Sequence, residues 1–132
     1  MVGNRVLIWN TIPTVSGTPA DLVLGQPTFA TEAAGSTASS MNSPTGVEVV
    51  DGALFVADAG NDRVLVFDPV PLASGAAATQ VLGQSSASSV VLDQAPSDTS
   101  LNGPVSLAVG GRKLFVADRL NRRILRYDLA LP

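Results

Sequence analysis

The stretch Leu54-Phe55-Val56-Ala57-Asp58-Ala59-Gly60-Asn61-Asp62-Arg63-Val64-Leu65-Val66-Phe67 returns 60 residues later as Leu114-Phe115-Val116-Ala117-Asp118-Arg119-Leu120-Asn121-Arg122-Arg123-Ile124-Leu125-Arg126-Tyr127. Each copy is an apolar run, a short polar turn and a second apolar run. That order specifies a β-hairpin, because Phe and Val suit a pleated surface and Asp, Gly and Asn suit a turn. In both turns an Asp (Asp58, Asp118) is followed three residues on by an Asn (Asn61, Asn121) and five on by an Arg (Arg63, Arg123). The Asp and Asn side chains are expected to bond nearby backbone N–H groups, and the Arg to reach back to the Asp across the hairpin mouth. A repeated turn residue is usually scaffolding, so the six residues are read as a pair of structural latches rather than a catalytic Asp–Arg pair. Partly exposed, such a pair is worth about 1 kcal/mol or less.

A third copy of the second strand opens the chain as Asn4-Arg5-Val6-Leu7-Ile8-Trp9, 58 residues before its match. At the same offset Ile12-Pro13 matches Val70-Pro71, Ser16-Gly17 matches Ser74-Gly75, and Val23-Leu24-Gly25-Gln26 matches Val81-Leu82-Gly83-Gln84. Met41-Asn42-Ser43-Pro44 then matches Leu101-Asn102-Gly103-Pro104 at 60, so two residues are gained in the loop between. Periods of this size, with several strands in each, indicate stacked or radial repeat units.

The expected strands are 5–9, 21–25, 46–50, 53–58, 63–68, 79–83, 105–109, 113–118 and 123–128. Asp51-Gly52 and Gly110-Gly111 are expected as tight turns. Residues 27–43 and 85–103 are small and polar without a helical stripe, hence long surface loops. The fold class is all-β. Labelled a to d from inner to outer strand, the chain reads c-d (4–26), a-b-c-d (44–84) and a-b-c (104–128) within one domain. Runs such as Val6-Leu7-Ile8-Trp9 and Val64-Leu65-Val66-Phe67 are apolar on both faces, so each small sheet is covered on both sides. Four-stranded sheets stacked in this way are the blades of a β-propeller.

Composition excludes several functions. With aromatics at 5 % and charged residues at 14 %, the core rests on Val, Leu and Ala. A net charge of −3 argues against nucleic acid, which needs a basic surface to neutralise phosphate. No Cys is present, so there is no thiolate or disulfide chemistry; no His is present, which removes the commonest general base and metal ligand. No apolar run approaches the roughly 20 residues of a membrane helix, and the N-terminus lacks the charged-then-apolar order of a signal peptide. The compartment stays open.

The Pro before strand a, the Val-Ala-Asp turn and the Asn-x-Arg opening of strand c resemble the NHL repeat. The long repeats with a Val-Leu-Gly-Gln strand are similar to those of bacterial NHL-type proteins, and the resemblance covers the whole chain. It implies a propeller, commonly of six blades, that serves as an interaction platform. Some relatives bind RNA through a basic face. Here Arg112, Lys113, Arg119, Arg122, Arg123 and Arg126 are the one local positive cluster, read as a solvated face. Relatives with amidating-lyase activity hold metal through His residues, so that activity does not carry over. Lactonase-type propellers use Glu, Asn and Asp around a central calcium ion. The matching candidate is Glu48 in strand a, where the next repeat has Ala108. One carboxylate does not make an oxygen-rich metal site, so Glu48 is expected to face a central channel or to pair with an Arg. No metal and no cofactor is expected.

The expected function is a non-enzymatic, self-assembling propeller fragment acting as a scaffold. The start in mid-unit after Met1-Val2-Gly3 suggests an excised or engineered piece. A homotrimer with about two blades per subunit closes a six-bladed ring. Strand c is present at both ends (4–9 and 121–128), so one copy is surplus in each shared blade. Arg126 in place of Ile8 and Val66 favours the N-terminal copy; the local Asp118–Arg123 partner favours the other. The alternative is a binding module whose loops 27–43 and 85–103 recognise a glycan, peptide or protein. Phe29 is the one aromatic in those loops, little for a sugar platform.

Overall fold

The computed structural model describes residues 3–129. Nine strands lie among the described residues: β1 (Val6–Ile8), β2 (Leu22–Leu24), β3 (Pro44–Val50), β4 (Ala53–Asp58), β5 (Arg63–Phe67), β6 (Gln80–Leu82), β7 (Pro104–Gly110), β8 (Lys113–Asp118) and β9 (Arg123–Asp128). The only helical pieces among the described residues are single 3-10 turns at Ala59–Asn61 and Arg119–Asn121, inside the two repeated hairpin mouths. The protein is all-β. The strands form three antiparallel sheets in the orders β1-β2, β3-β4-β5-β6 and β7-β8-β9.

Local chemistry sets the strand ends. Asp51 and Gly52 have φ of 48° and 79°, the two positive values that a type I′ hairpin turn requires. In the third sheet Gly110 still pairs with Lys113, so the turn is Gly111-Arg112, one residue beyond the expected Gly110-Gly111. Only Gly111, at φ 59°, is positive there, at the position that glycine takes in type II′ turns. Strands β2 and β6 are shorter than expected because Gly25 (φ 86°) and Gly83 (φ 91°) turn the chain out of extended geometry. Strands β3 and β7 start earlier than expected, at Pro44 and Pro104, each followed by a register shift of the bulge type. Proline is tolerated there because the first residue of an edge strand owes the ladder no N–H.

The sheets stack face to face, with the second in the middle. One face of β4 and β5 packs Leu54, Val56, Leu65 and Phe67 with Val6, Ile8 and Leu24 of the first sheet. The other packs Phe55, Val64 and Val66 with Leu114 and Val116 of the third. Strands β4 and β5 are therefore buried at every residue, as their two-sided apolar runs require. Strands β3 and β7 lie alongside each other, and a Cβ on Gly46 would sit 3.5 Å from the Ser106 Cα.

Coverage of the stack is uneven. Leu107 and Val109 of β7 pack against the core between the second and third sheets. Their counterparts in β3, Val47 and Val49, are 51 % and 60 % exposed, because the first sheet offers only the outer two strands to that face. On the far side of the third sheet Ile124 and Leu120 are exposed.

Candidate functional site

The two hairpin mouths each gather an Asp, an Asn and an Arg into a hydrogen-bonded cluster. Asp58 closes β4 and Arg63 opens β5; the 3-10 turn between them brings the pair into register. Arg63 Nε donates to Asp58 Oδ2 at 2.7 Å, and Asn61 Nδ2 donates to the same oxygen at 2.8 Å. Asp58 Oδ1 accepts the Asn42 backbone N–H at 2.7 Å, which ties the hairpin to the residues just before β3. The second hairpin repeats the set: Arg123 Nε and Asn121 Nδ2 donate to Asp118 Oδ2 at 2.7 and 2.9 Å, and the Asn102 N–H to Asp118 Oδ1 at 2.7 Å.

All six latch residues thus converge as two equivalent clusters, but two details of the expectation are corrected. The Asn side chains donate to carboxylate oxygen rather than accepting a backbone N–H, because the 3-10 turn aims their amides at the Asp. The first pair is also not partly exposed. Both Asp58 and Arg63 are fully buried.

A buried guanidinium must satisfy five N–H groups. Beyond Nε, Arg63 Nη1 donates to the Ser36 and Ala87 carbonyls at 3.2 and 2.7 Å, and Nη2 to those of Thr37 and Ser40 at 2.9 and 3.0 Å. All five are satisfied. Arg63 thereby anchors both long loops, 27–43 and 85–103, from one point. Arg123 repeats part of this arrangement, with Nη2 donating to Ser97 and Ser100 at 2.7 and 2.9 Å. Arg5, the counterpart at offset 58, donates from Nη1 to Phe29 at 2.6 Å, as Arg63 does to Ala87. Burial pushes the Asp58 carboxyl up from its ordinary range, against the Asn42 N–H, the Asn61 amide and the Arg63 guanidinium.

Two further repeated contacts escaped the reading of the sequence. Gln26 Nε2 donates to the Asn4 and Ala33 carbonyls at 2.9 and 2.8 Å, and Gln84 Nε2 to those of Asp62 and Val91 at 3.1 and 3.0 Å. The Val-Leu-Gly-Gln recurrence carried that signal. Asn4 and Asp62, both at positive φ, also pin the start of the next strand: Asn4 Oδ1 accepts the Ser43 N–H and Asp62 Oδ1 the Gly103 N–H, at 2.8 and 2.7 Å. The third residue in this series is Arg122, also at positive φ, whose side chain has no acceptor to offer.

No protein-family model matches this chain, and none of the curated proteins compared with it matches either. What the site can do therefore rests on its own chemistry. With its carboxylate and guanidinium buried and mutually bonded, the Asp58–Arg63 cluster presents no free base or acid to a substrate. Glu48 is half-buried in β3 and aligned with Phe55, on the side that faces the third sheet. It makes no ion pair among the described residues, so of the two expected settings, a central channel or an Arg partner, the Arg partner is not found there. No group of three or more potential metal-ligating side chains occurs among the described residues. The basic cluster at 112–126 is dispersed: Arg112 lies 3.8 Å from Asp51, Lys113 and Arg126 lie 3.4 and 3.5 Å from Asp128, and Arg123 faces Asp118.

Proposed function

We propose that this chain is a segment of an NHL-type β-propeller that works as a self-assembling scaffold and performs no catalysis of its own. The observation that carries the reading is the bare inner half of the second sheet. Val47 and Val49 are exposed where Leu107 and Val109, one repeat on, are covered by a neighbouring sheet. Strands β7 and β8 of another copy would cover them with their other face, that of Phe115, since the face of Leu107, Leu114 and Val116 is already packed on their own second sheet. The exposed Ile124 and Leu120 mark the complementary surface. Adjacent apolar sheet surface of this kind drives association, and a head-to-tail contact closes into a ring when its rotation divides the circle. A trimer, six blades in all, is the favoured closure.

The long loops fit a scaffold. Their carbonyls point inward at Arg5, Arg63 and Arg123, which stiffens them and removes those acceptors from any outside ligand. Light scattering after size exclusion tests the proposal. At micromolar concentration the expected mass is three times the 13.5 kDa of one chain. A stable monomer with a β-rich circular dichroism spectrum would overturn it.

A further inference from the structure

The gap between the first and second sheets is closed by the segment that follows β5. Val70, Ala76, Ala78 and Val81 pack onto the Leu54, Leu65 and Phe67 face. The segment is held by backbone bonds from Val70 to Gly52 at 2.8 Å, Gly75 to Val23 at 2.9 Å and Ala78 to Ala38 at 2.8 Å. Between the second and third sheets only the first residue of such a segment is seated: Leu129 packs against the core there, its N–H bonded to the Arg112 carbonyl at 2.8 Å as that of Val70 is to Gly52. Beyond Leu129, among the described residues, the corresponding space is open. It is a cleft of about 410 Å³ lined by Phe55, Val66, Leu82 and Tyr127, with Asp68 and Asp128 also in its wall. The Tyr127 hydroxyl is buried there without a hydrogen-bond partner among the described residues.

The chain contains a second version of the closing segment. Residues 11–24 repeat 69–82 at an offset of 58, placing Ile12 at Val70, Ala20 at Ala78 and Val23 at Val81. Val70 is half-buried in its gap, whereas Ile12 is 92 % exposed, because no inner strands of the first sheet stand beneath it. We infer that Ile12 of a second copy enters the cleft between the second and third sheets, seating residues 11–24 there as 69–82 are seated in the first gap. The inference rests on the self-assembly reading above and names the contact that makes it. Strand β9 and the incoming β1 compete for the place beside β8, and Ile12 takes the Val70-like position where β1 displaces β9 and, with it, Leu129. Leu72 provides the contrast. Its own segment is already seated, yet it remains 91 % exposed, so the matching position, Thr14, stays in solvent.

Light scattering across a concentration series separates the possibilities, with Ile12→Asp and Leu72→Asp beside the wild type. Both side chains are exposed within one chain, so both variants keep the β-rich spectrum. Ile12→Asp is expected to need at least about ten-fold more protein to associate, since it would bury an unpaired charge in an apolar cleft. Leu72→Asp is expected to associate like the wild type. Wild-type association by Ile12→Asp overturns this contact and leaves self-assembly standing, as does equal loss in both variants. A monomeric wild type overturns self-assembly and the contact together. Should Ile12→Asp lose the β-rich spectrum, the milder Ile12→Ser repeats the test with the same outcomes.

Discussion

Arg63→Ala is expected to lower the melting temperature by more than about 10 °C, while Arg123→Ala costs less than half as much. The substitution leaves the Asp58 carboxylate buried and facing only neutral donors, and it strips the Ser36, Thr37, Ser40 and Ala87 carbonyls of their donor. Removing one partner of a buried ion pair costs about 3–5 kcal/mol, because the remaining charge is uncompensated. In a chain of this length each kcal/mol moves the midpoint by roughly 3–5 °C. Arg123 makes the same contact to its Asp at 2.7 Å, but its side chain is 26 % exposed and it holds two loop carbonyls rather than four. Water can approach the vacated site, so its loss is expected to cost about 1–2 kcal/mol. Melts followed by circular dichroism at one protein concentration test the ranking, since association would otherwise shift the midpoints. Equal losses would mean that burial does not distinguish the two clusters. A loss under about 1 kcal/mol at Arg63 would mean that water replaces the guanidinium.

The gap between that figure and the modest value expected from spacing alone marks where the sequence stops being legible. Alternating and two-sided apolar runs placed all nine strands, and the Asp-x-x-Asn-x-Arg spacing brought three side chains together correctly. Both features are local, set by strand geometry and by a turn of a few residues. Burial of the pair is not local. The carbonyls that surround Arg63 come from residues 23–27 positions away, in stretches so rich in Ser, Thr and Ala that they read as solvated loops. Nothing in their composition says that their backbones turn inward. The turn after β7 lies one residue beyond its expected place for a similar reason. Gly110 and Gly111 both tolerate positive φ, and only the pairing of Gly110 with Lys113 across the sheet decides between them. Glu48 stood out as an acid in an apolar strand, but a single sequence position does not reveal which neighbouring sheet it lies against.

The second large effect is expected at Gly25, where alanine should destabilise the chain by about 2–5 kcal/mol. Gly25 has φ of 86°, which an L side chain rarely adopts, and that conformation alone costs roughly 1–2 kcal/mol. A Cβ there would also lie 2.9 Å from the Asn4 carbonyl oxygen and 2.8 Å from Met41 Sδ. Neither neighbour has room to retreat. Met41 is fully buried in the core between the first two sheets, and the Asn4 carbonyl accepts the Gln26 amide at 2.9 Å. Overpacking against such neighbours adds about 1–3 kcal/mol. Gly17→Ala separates the two contributions. Gly17 has φ of 80° but nothing within 4 Å of its would-be Cβ, so it carries the conformational cost without the collision. Gly83→Ala should fall between them, since at φ 91° the three atoms nearest its Cβ, at 2.7 to 2.8 Å, all belong to the Leu101 side chain. Denaturant unfolding of the three variants is expected to rank Gly25→Ala above Gly83→Ala above Gly17→Ala. Equal losses in all three would assign the role of these glycines to backbone conformation alone. The expected ranking instead makes Gly25 the point where β2 must pass close to Asn4, so that Gln26 can tie the N-terminal strand to its loop.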